Sequence, residues 1–426
     1  MNKYILLPIV SVLWVSSLFS QEQTQLTDQF LKDNVIQVMS IDPAEKDHED
    51  LRFLAKELNG VEIVLLGEQG HGDGSTFLAK TRLIKYLHEE QGYNVIAFES
   101  GLFDCYRVWE AIQNGADSLE VFRIGVFSIW TASQQVKPLF QYILDQSKTD
   151  NPLILTGFDM QMTGGILPPE RFKLLDDYLK QRIEIDWVNQ YPNVAKVYEN
   201  TREIFINPLT DDQVEQLGIE VNRLSDRVAA VDNSFKGQVF SRYILNYWGT
   251  ITLYSKADMQ NPSNTPHVFN LRDNQMAKNF ELIKEVLFPG EKIIAWGANT
   301  HFGYGRGLLG SFEGKEAPQQ GMVPAGQYLK INYQEKLYSL AFTSFQGQGG
   351  SLNNGPYDIA PAKPETLEYQ LNKMGVVNGF LSFRNPELKS KRFVTNIYGR
   401  IEMSGKWAHM ADGVFFIRDM KASKFK

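Results

Sequence analysis

Glu68 and His71 lie three residues apart in the glycine-framed run Gly67-Glu68-Gln69-Gly70-His71. A carboxylate beside an imidazole is the pairing that general acid–base chemistry uses near neutral pH, which makes His71 the candidate working base. Three more ionisable groups follow apolar runs in the same way as Glu68 follows Val61-Glu62-Ile63-Val64-Leu65-Leu66. Glu99 ends Asn94-Val95-Ile96-Ala97-Phe98, Asp159 follows Leu153-Ile154-Leu155-Thr156, and His301 follows Lys292-Ile293-Ile294-Ala295-Trp296 after Gly297-Ala298-Asn299-Thr300. A charge kept beside a core needs a partner or a task, so repetition of the arrangement points to one shared site. Each group also has an ordinary reading: Asp159 as a turn or cap residue, Glu99 as the partner of a buried cation, a single histidine as a plain hydrogen-bonding residue.

The four apolar runs are rich in branched residues and separated by helical patterns, which predicts buried parallel strands in an α/β fold: a central, mostly parallel sheet with helices on both faces. In such sheets ligands sit beyond the carboxyl ends of the strands, where these groups fall. Gly72-Asp73-Gly74-Ser75 predicts a turn and cap before a helix over 76–90. Its apolar stripe is Phe77, Leu83, Ile84 and Leu87, with Lys80 at the centre and Arg82 and Lys85 off it. An inward Lys80 calls for Glu68 or Glu99, or else runs its stem along the core. Residues 21–165 form the first part of the α/β domain, 166–285 an inserted helical lobe, and 286–426 the returning part. Tyr338–Thr343 and Gly413–Ile417 read as strands there, and the Gly/Gln/Asn/Pro-rich stretch Gln346–Pro364 reads as a loop.

Residues 1–20 have the shape of a secretory signal peptide, with Lys3, an apolar run and small residues before Gln21, so a periplasmic or secreted protein is expected. Nothing later is long and apolar enough for a membrane span, and the mature chain is expected to be free of one. The net charge of −7 and the absence of a dense basic run argue against nucleic acid as a partner. Cys105, the single cysteine, reads as a packing residue and rules out a multi-thiolate metal site. Phe122, Phe127 and Trp130 read as an apolar pocket wall or as core. His48, His88 and His409 have weaker claims than His71, with His88 placed to complement a helix dipole, and His267 is a candidate on the substrate side.

Taken together, Gly67-Glu68-Gln69-Gly70-His71, Phe98-Glu99, Gly157-Phe158-Asp159-Met160-Gln161, Arg272-Asp273 with Met276-Ala277, and Trp296 to His301 resemble the erythromycin esterase family. Pro324-Ala325-Gly326-Gln327-Tyr328-Leu329 and Asp412-Gly413-Val414-Phe415-Phe416 extend the resemblance through most of the chain. It implies hydrolysis of a small-molecule ester, in the best-known members a macrolactone whose opening gives antibiotic resistance, by water activated without an obligatory metal or other cofactor. On that resemblance His71 is the general base with Glu68, Glu99 and His301 around it, while Lys80, Arg272, Asp159 and Trp130 stand on the substrate side. His301 or Lys80 would stabilise the oxyanion. Where the family often shows an acidic residue after Trp130, this chain reads Thr131-Ala132-Ser133-Gln134-Gln135, a loop expected to face substrate. Two rival readings use the same residues: a metal-dependent hydrolase or peptidase, and a non-catalytic exported ligand-binding protein. An acyl-transfer role in polysaccharide modification is a third. A serine nucleophile lacks its Gly-x-Ser-x-Gly elbow.

Overall fold

A computed structural model describes residues 25–200, 206–256, 265–310 and 321–426. The expected signal peptide at 1–20 lies outside these residues. In chain order the strands are β1 (Val35–Gln37), β2 (Ile63–Leu66), β3 (Tyr93–Gly101), β4 (Ile154–Asp159), β5 (Lys292–Trp296), β6 (Leu309–Gly310), β7 (Leu337–Ser351), β8 (Gly355–Ile359), β9 (Asn378–Ser382), β10 (Phe393–Thr395), β11 (Met403–Gly405) and β12 (Gly413–Met420). The main sheet has the order β1-β9-β12-β7-β2-β5-β3-β4, with β8 also paired to β7, and β10, β11 and β6 form a small second sheet. From β12 to β4 all neighbours are parallel, while β9, β1 and β8 join antiparallel. The mixed α/β sheet expected from the sequence is present.

Alternation along the central strands explains why they are apolar throughout. Val64, Leu66, Ile96, Phe98, Ile294 and Trp296 point to one face, packed with Phe77, Leu83, Ile84 and Leu87 of the helix Gly74–Gln91. Ile63, Leu65, Val95, Ala97, Ile293 and Ala295 point to the other. Between β4 and β5 the described chain is helical, and the helices Pro168–Gln181, Asp211–Val231, Phe235–Lys256 and Thr265–Leu282 cover that second face. Because β5 inserts between β2 and β3, the carboxyl ends of β2, β5, β3 and β4 are consecutive along one rim. That order brings residues 68, 99, 159 and 301 together. Among the described residues no helix is long and apolar enough to cross a membrane.

Two expectations change. Gln346–Pro364 is not a plain loop: β7 continues to Ser351 and turns back as β8, an antiparallel hairpin held by main-chain pairing without an apolar side-chain pattern to announce it. Its glycines let it lie on the turn that follows β2, where Gly350 N donates to Gly72 O at 3.0 Å. A Cβ on Gly72 would stand 1.8 Å from Gly350 O. Gly72→Ala is therefore expected to destabilise the fold by about 1–3 kcal/mol, measured as a lowered urea midpoint; an unchanged midpoint would mean that the hairpin is free to move away. Arg82, off the centre of the apolar stripe, is nevertheless buried, because its guanidinium donates to Asp50 Oδ1 at 2.7 Å and to Asp47 O at 2.6 Å. A helical wheel shows only its own helix, whereas the segment around residues 40–50 forms a further layer outside it.

Candidate active site

After Leu66 the chain passes so close to Asn299 that a Cβ on Gly67 would lie 2.0 Å from Asn299 Oδ1. The turn is closed by Asp73, whose Oδ2 accepts from Gly70 N at 3.1 Å and whose other oxygen binds Arg400. Gln69 points inward, donating from Nε2 to Asn396 O and Oδ1, both at 2.8 Å. Glu68 and His71, on either side of it, differ in exposure. Glu68 is buried, and 43% of the His71 side chain is reached by solvent.

His71 Nδ1 lies 2.9 Å from Glu68 Oε1. A carboxylate accepts there, so Nδ1 carries the proton and Nε2 keeps a free lone pair. Glu68 is held in turn by Lys80 Nζ at 2.6 Å on Oε2 and by Trp130 Nε1 at 3.3 Å on Oε1. Burial lowers the pKa of His71, but the Glu68 hydrogen bond and the charges of Glu99 and Glu68 outweigh it, leaving the imidazole above its ordinary value. Burial likewise pulls the Lys80 ammonium down, and Glu68 only partly restores it.

His301, on the short helix Asn299–Phe302, sits in a second charged group. Its Nδ1 is 2.9 Å from Asp273 Oδ1 and its Nε2 is 3.3 Å from Glu99 Oε1. Arg272 bridges Glu99 Oε1 at 2.9 Å and Asp159 Oδ2 at 2.6 Å. Burial opposes the charge on His301, yet Asp273 and Glu99 prevail and raise its pKa to about 9, so both ring nitrogens bear protons at neutral pH. Arg272 Nη1, 3.3 Å from His301 Nε2, is then a neighbouring cation rather than a hydrogen-bond partner. Burial alone would raise the pKa of Glu99, but His301 and Arg272 hold it well below the usual range. Phe269 stacks flat on the His301 ring at 5.3 Å between centroids. One histidine is thus a poised base and the other a fixed cation.

Three residues expected to meet substrate are placed otherwise. Lys80 is fully buried, with its ammonium 4.2 Å from the centre of the Trp296 ring, and serves as the counterion of Glu68. Asp159 is fully buried behind Arg272, and Trp130 presents its N–H to Glu68 with no exposed surface. Of the four, Arg272 alone retains partial exposure, 22% of its side chain. Phe122 is core, stacked on Phe140, whereas Phe127 is partly exposed. The loop after Trp130 is tied to the C-terminal segment: Gln134 N donates to Lys424 O at 2.8 Å, Gln135 Oε1 accepts from Lys424 N at 2.8 Å, and Ser133 and Ser423 share a hydroxyl contact at 2.5 Å. Thr131 and Ala132 border a cavity of about 440 Å³ with Thr163, Gly164 and Leu352.

The other histidines stand apart. His88 does not serve a helix dipole as a cation, since it is buried against Tyr142 Oη at 2.7 Å and burial lowers its pKa. His48 pairs with Glu90, His409 contacts Lys389 O, and His267 is exposed. Cys105 is buried, and burial pushes its thiol up. Among the described residues no three His, Cys, Asp or Glu side chains are arranged to hold a metal ion. The carboxylates nearest the histidines spend their oxygens on Lys80, Arg272 and main-chain N–H groups. Sequence reasoning did not find Gln69, Asn299, Asp73 or Arg400 as supports of the turn. Their partners lie far along the chain, and no local pattern marks them.

Two histidines, one partly exposed beside Glu68 and one buried between Asp273 and Glu99, stand on the carboxyl rim of an open α/β sheet. The family model for erythromycin esterase matches residues 88–419, and the chain belongs to that family. Glu99, Asp159, Arg272 and His301 fall within the matched residues, whereas Glu68, His71 and Lys80 precede them. The chain is 27% identical to the Bacillus subtilis (strain 168) protein named "Putative hydrolase YbfO", over 84% of this chain and 81% of that one. It is 21% identical to erythromycin esterase type II of Escherichia coli, over 93% and 98% of the two chains. Two solved structures share the fold: a succinoglycan biosynthesis protein (TM-score 0.75, 19% identity, 94% and 98% of the chains) and a mutant of erythromycin esterase EreC in its open conformation (TM-score 0.67, 18% identity, 92% and 98%). Family and relatives together indicate a hydrolase of the esterase-like kind.

Proposed function

We propose that this protein is an exported hydrolase, periplasmic or secreted, that cleaves a small-molecule ester, with a macrolactone as one candidate, by water activated at His71. The observation that carries the reading is the division between the two histidines: His71 has Nδ1 tied to Glu68 and Nε2 free, while His301 is fixed as a cation by Asp273 and Glu99. Nε2 of His71 takes a proton from water as the water oxygen attacks the ester carbonyl. The oxyanion forms beside the cationic edge of Arg272 and His301, which stabilises it. Collapse breaks the bond to the alkoxy oxygen, and that oxygen receives the proton from His71. Lys80 holds Glu68 in place throughout.

The mature protein is to be incubated with macrolides and simpler esters and each product weighed for the gain of one water. Gain of water by none of them overturns the hydrolase reading of this site. Exhaustive chelation is expected to leave turnover unchanged; loss with zinc-dependent recovery would replace the base with a metal-bound hydroxide.

The pH profile follows from the two shifts. His71 acts when neutral, so kcat/KM rises with pH through a midpoint above the ordinary ~6.5. His301 acts when charged, so the rate falls again through about 9. His301→Asn is expected to remove the alkaline limb; a limb that survives there belongs to another group. The same raised pKa makes His301 stabilising below ~6.5, a contribution lost as pH climbs through about 9.

A further inference from the structure

Behind the catalytic turn lies a buried carboxyl that the chemistry above does not use. Glu368, in the helix Leu367–Lys373, is fully buried. Its Oε1 accepts from Thr343 Oγ1 at 2.6 Å, from Asn396 N at 3.2 Å and from the Thr395 hydroxyl. Its Oε2 has no hydrogen-bond partner, and among the described residues no cation is paired with the group. A carboxylate oxygen buried with neither donor nor cation would cost several kcal/mol. A carboxylic acid with its proton on Oε2 leaves only a neutral hydroxyl unpaired. Burial pushes the Glu368 carboxyl upward, in the same direction. Both observations favour the acid form over the carboxylate.

The donors it gathers come from β7 and from the end of β10, and Asn396 opens a segment that touches both histidine-bearing loops. Asn396 receives Gln69, the residue between Glu68 and His71 in the turn. Ile397 O accepts from Asn299 Nδ2 at 2.8 Å, and Asn299 N donates to Glu68 O at 2.9 Å. Arg400 binds Asp73 from a left-handed backbone with φ 63°, a conformation that a non-glycine residue keeps only where its contacts demand it.

We propose that Glu368 is a positioning residue: by holding Thr395 and Asn396 against β7 it sets where residues 396–400 meet Gln69, and thereby sets the Glu68–His71 hydrogen bond. The proposal rests on the reading of His71 as base only for its effect on turnover, because the bond itself is open to direct measurement. That measurement is the His71 titration, followed by NMR in histidine-labelled full-length protein that has six histidines, with the His71 signal assigned by its loss in His71→Asn.

Glu368→Gln offers the same acceptor oxygen without charge, and His71 is expected to titrate as in the native protein. Glu368→Ala removes the acceptor, and the His71 pKa is expected to fall toward the ordinary ~6.5. Asn396→Ala cuts the path one step nearer the turn and is expected to give the same fall, which keeps the test decisive if Glu368→Ala does not fold. A folded Glu368→Ala or Asn396→Ala with a native His71 titration overturns the proposal. A fall in Glu368→Gln overturns the neutral-acid form. If the protein hydrolyses esters, kcat drops with the titration shift by on the order of 10²-fold and is rescued in Glu368→Gln. If it hydrolyses none, the function fails while the titration still decides the role of Glu368.

Discussion

Asparagine in place of His71 is expected to lower kcat for ester hydrolysis by on the order of 10³-fold, the scale of a lost general base, while the melting temperature stays within about 2 °C. The two halves of that expectation have separate causes. The amide keeps a donor for Glu68 Oε1 but has no basic nitrogen to receive a proton from water. Stability is spared because the side chain is 43% exposed and because Glu68 keeps Lys80 and Trp130 when His71 is gone. Steady-state rates on any ester found to be a substrate, with a thermal melt of the same preparation, check both. An asparagine variant with more than a tenth of native kcat would move the base elsewhere in the cleft.

The second large effect falls on stability. Lys80→Met leaves Glu68, itself fully buried, without its cation, and removal of one member of a buried pair typically costs about 3–5 kcal/mol. Urea unfolding at pH 7 measures it. Adding Glu68→Gln to Lys80→Met is expected to recover most of the loss, since the pair is then neutral and methionine fills the lysine's apolar path over Trp296. The double variant stays inactive, because His71 has lost the anion that raised its pKa. A Lys80→Met protein within about 1 kcal/mol of native would show that water reaches Glu68 and that the pair is not sealed.

What the sequence revealed and what it hid divide along a physical line. The central strands were legible because each is apolar on both faces, and Lys80 was legible as inward because it interrupts a helical stripe. Its partner was narrowed to Glu68 or Glu99, and the fold chooses Glu68; the helical wheel gives direction but cannot separate two carboxylates on neighbouring strand ends. Trp130 and Asp159 were singled out for the right neighbourhood and assigned the wrong side of it. The hairpin of β7 and β8 escaped notice because main-chain pairing between glycines and polar residues leaves no periodic signature. Gln69 and Asn299 were given no role of their own, and Asp73 was read only as part of the turn and cap before the helix. Asn396 and Arg400 lie 327 positions from Gln69 and Asp73, and Ile397 lies 98 from Asn299, separations over which single-sequence reasoning has no distance information.

Gly72 draws these threads into one place, since its carbonyl accepts from Gly350 N at 3.0 Å and from Ser423 N at 2.7 Å. The segment that carries His71 is made early on the ribosome, and the two that grip it, the end of β7 and the stretch after β12, are made hundreds of residues later. A nascent chain of this protein therefore holds every atom of His71 long before it holds the segments that fix the turn around it. The order of synthesis is thus the reverse of the order in which the turn needs its parts.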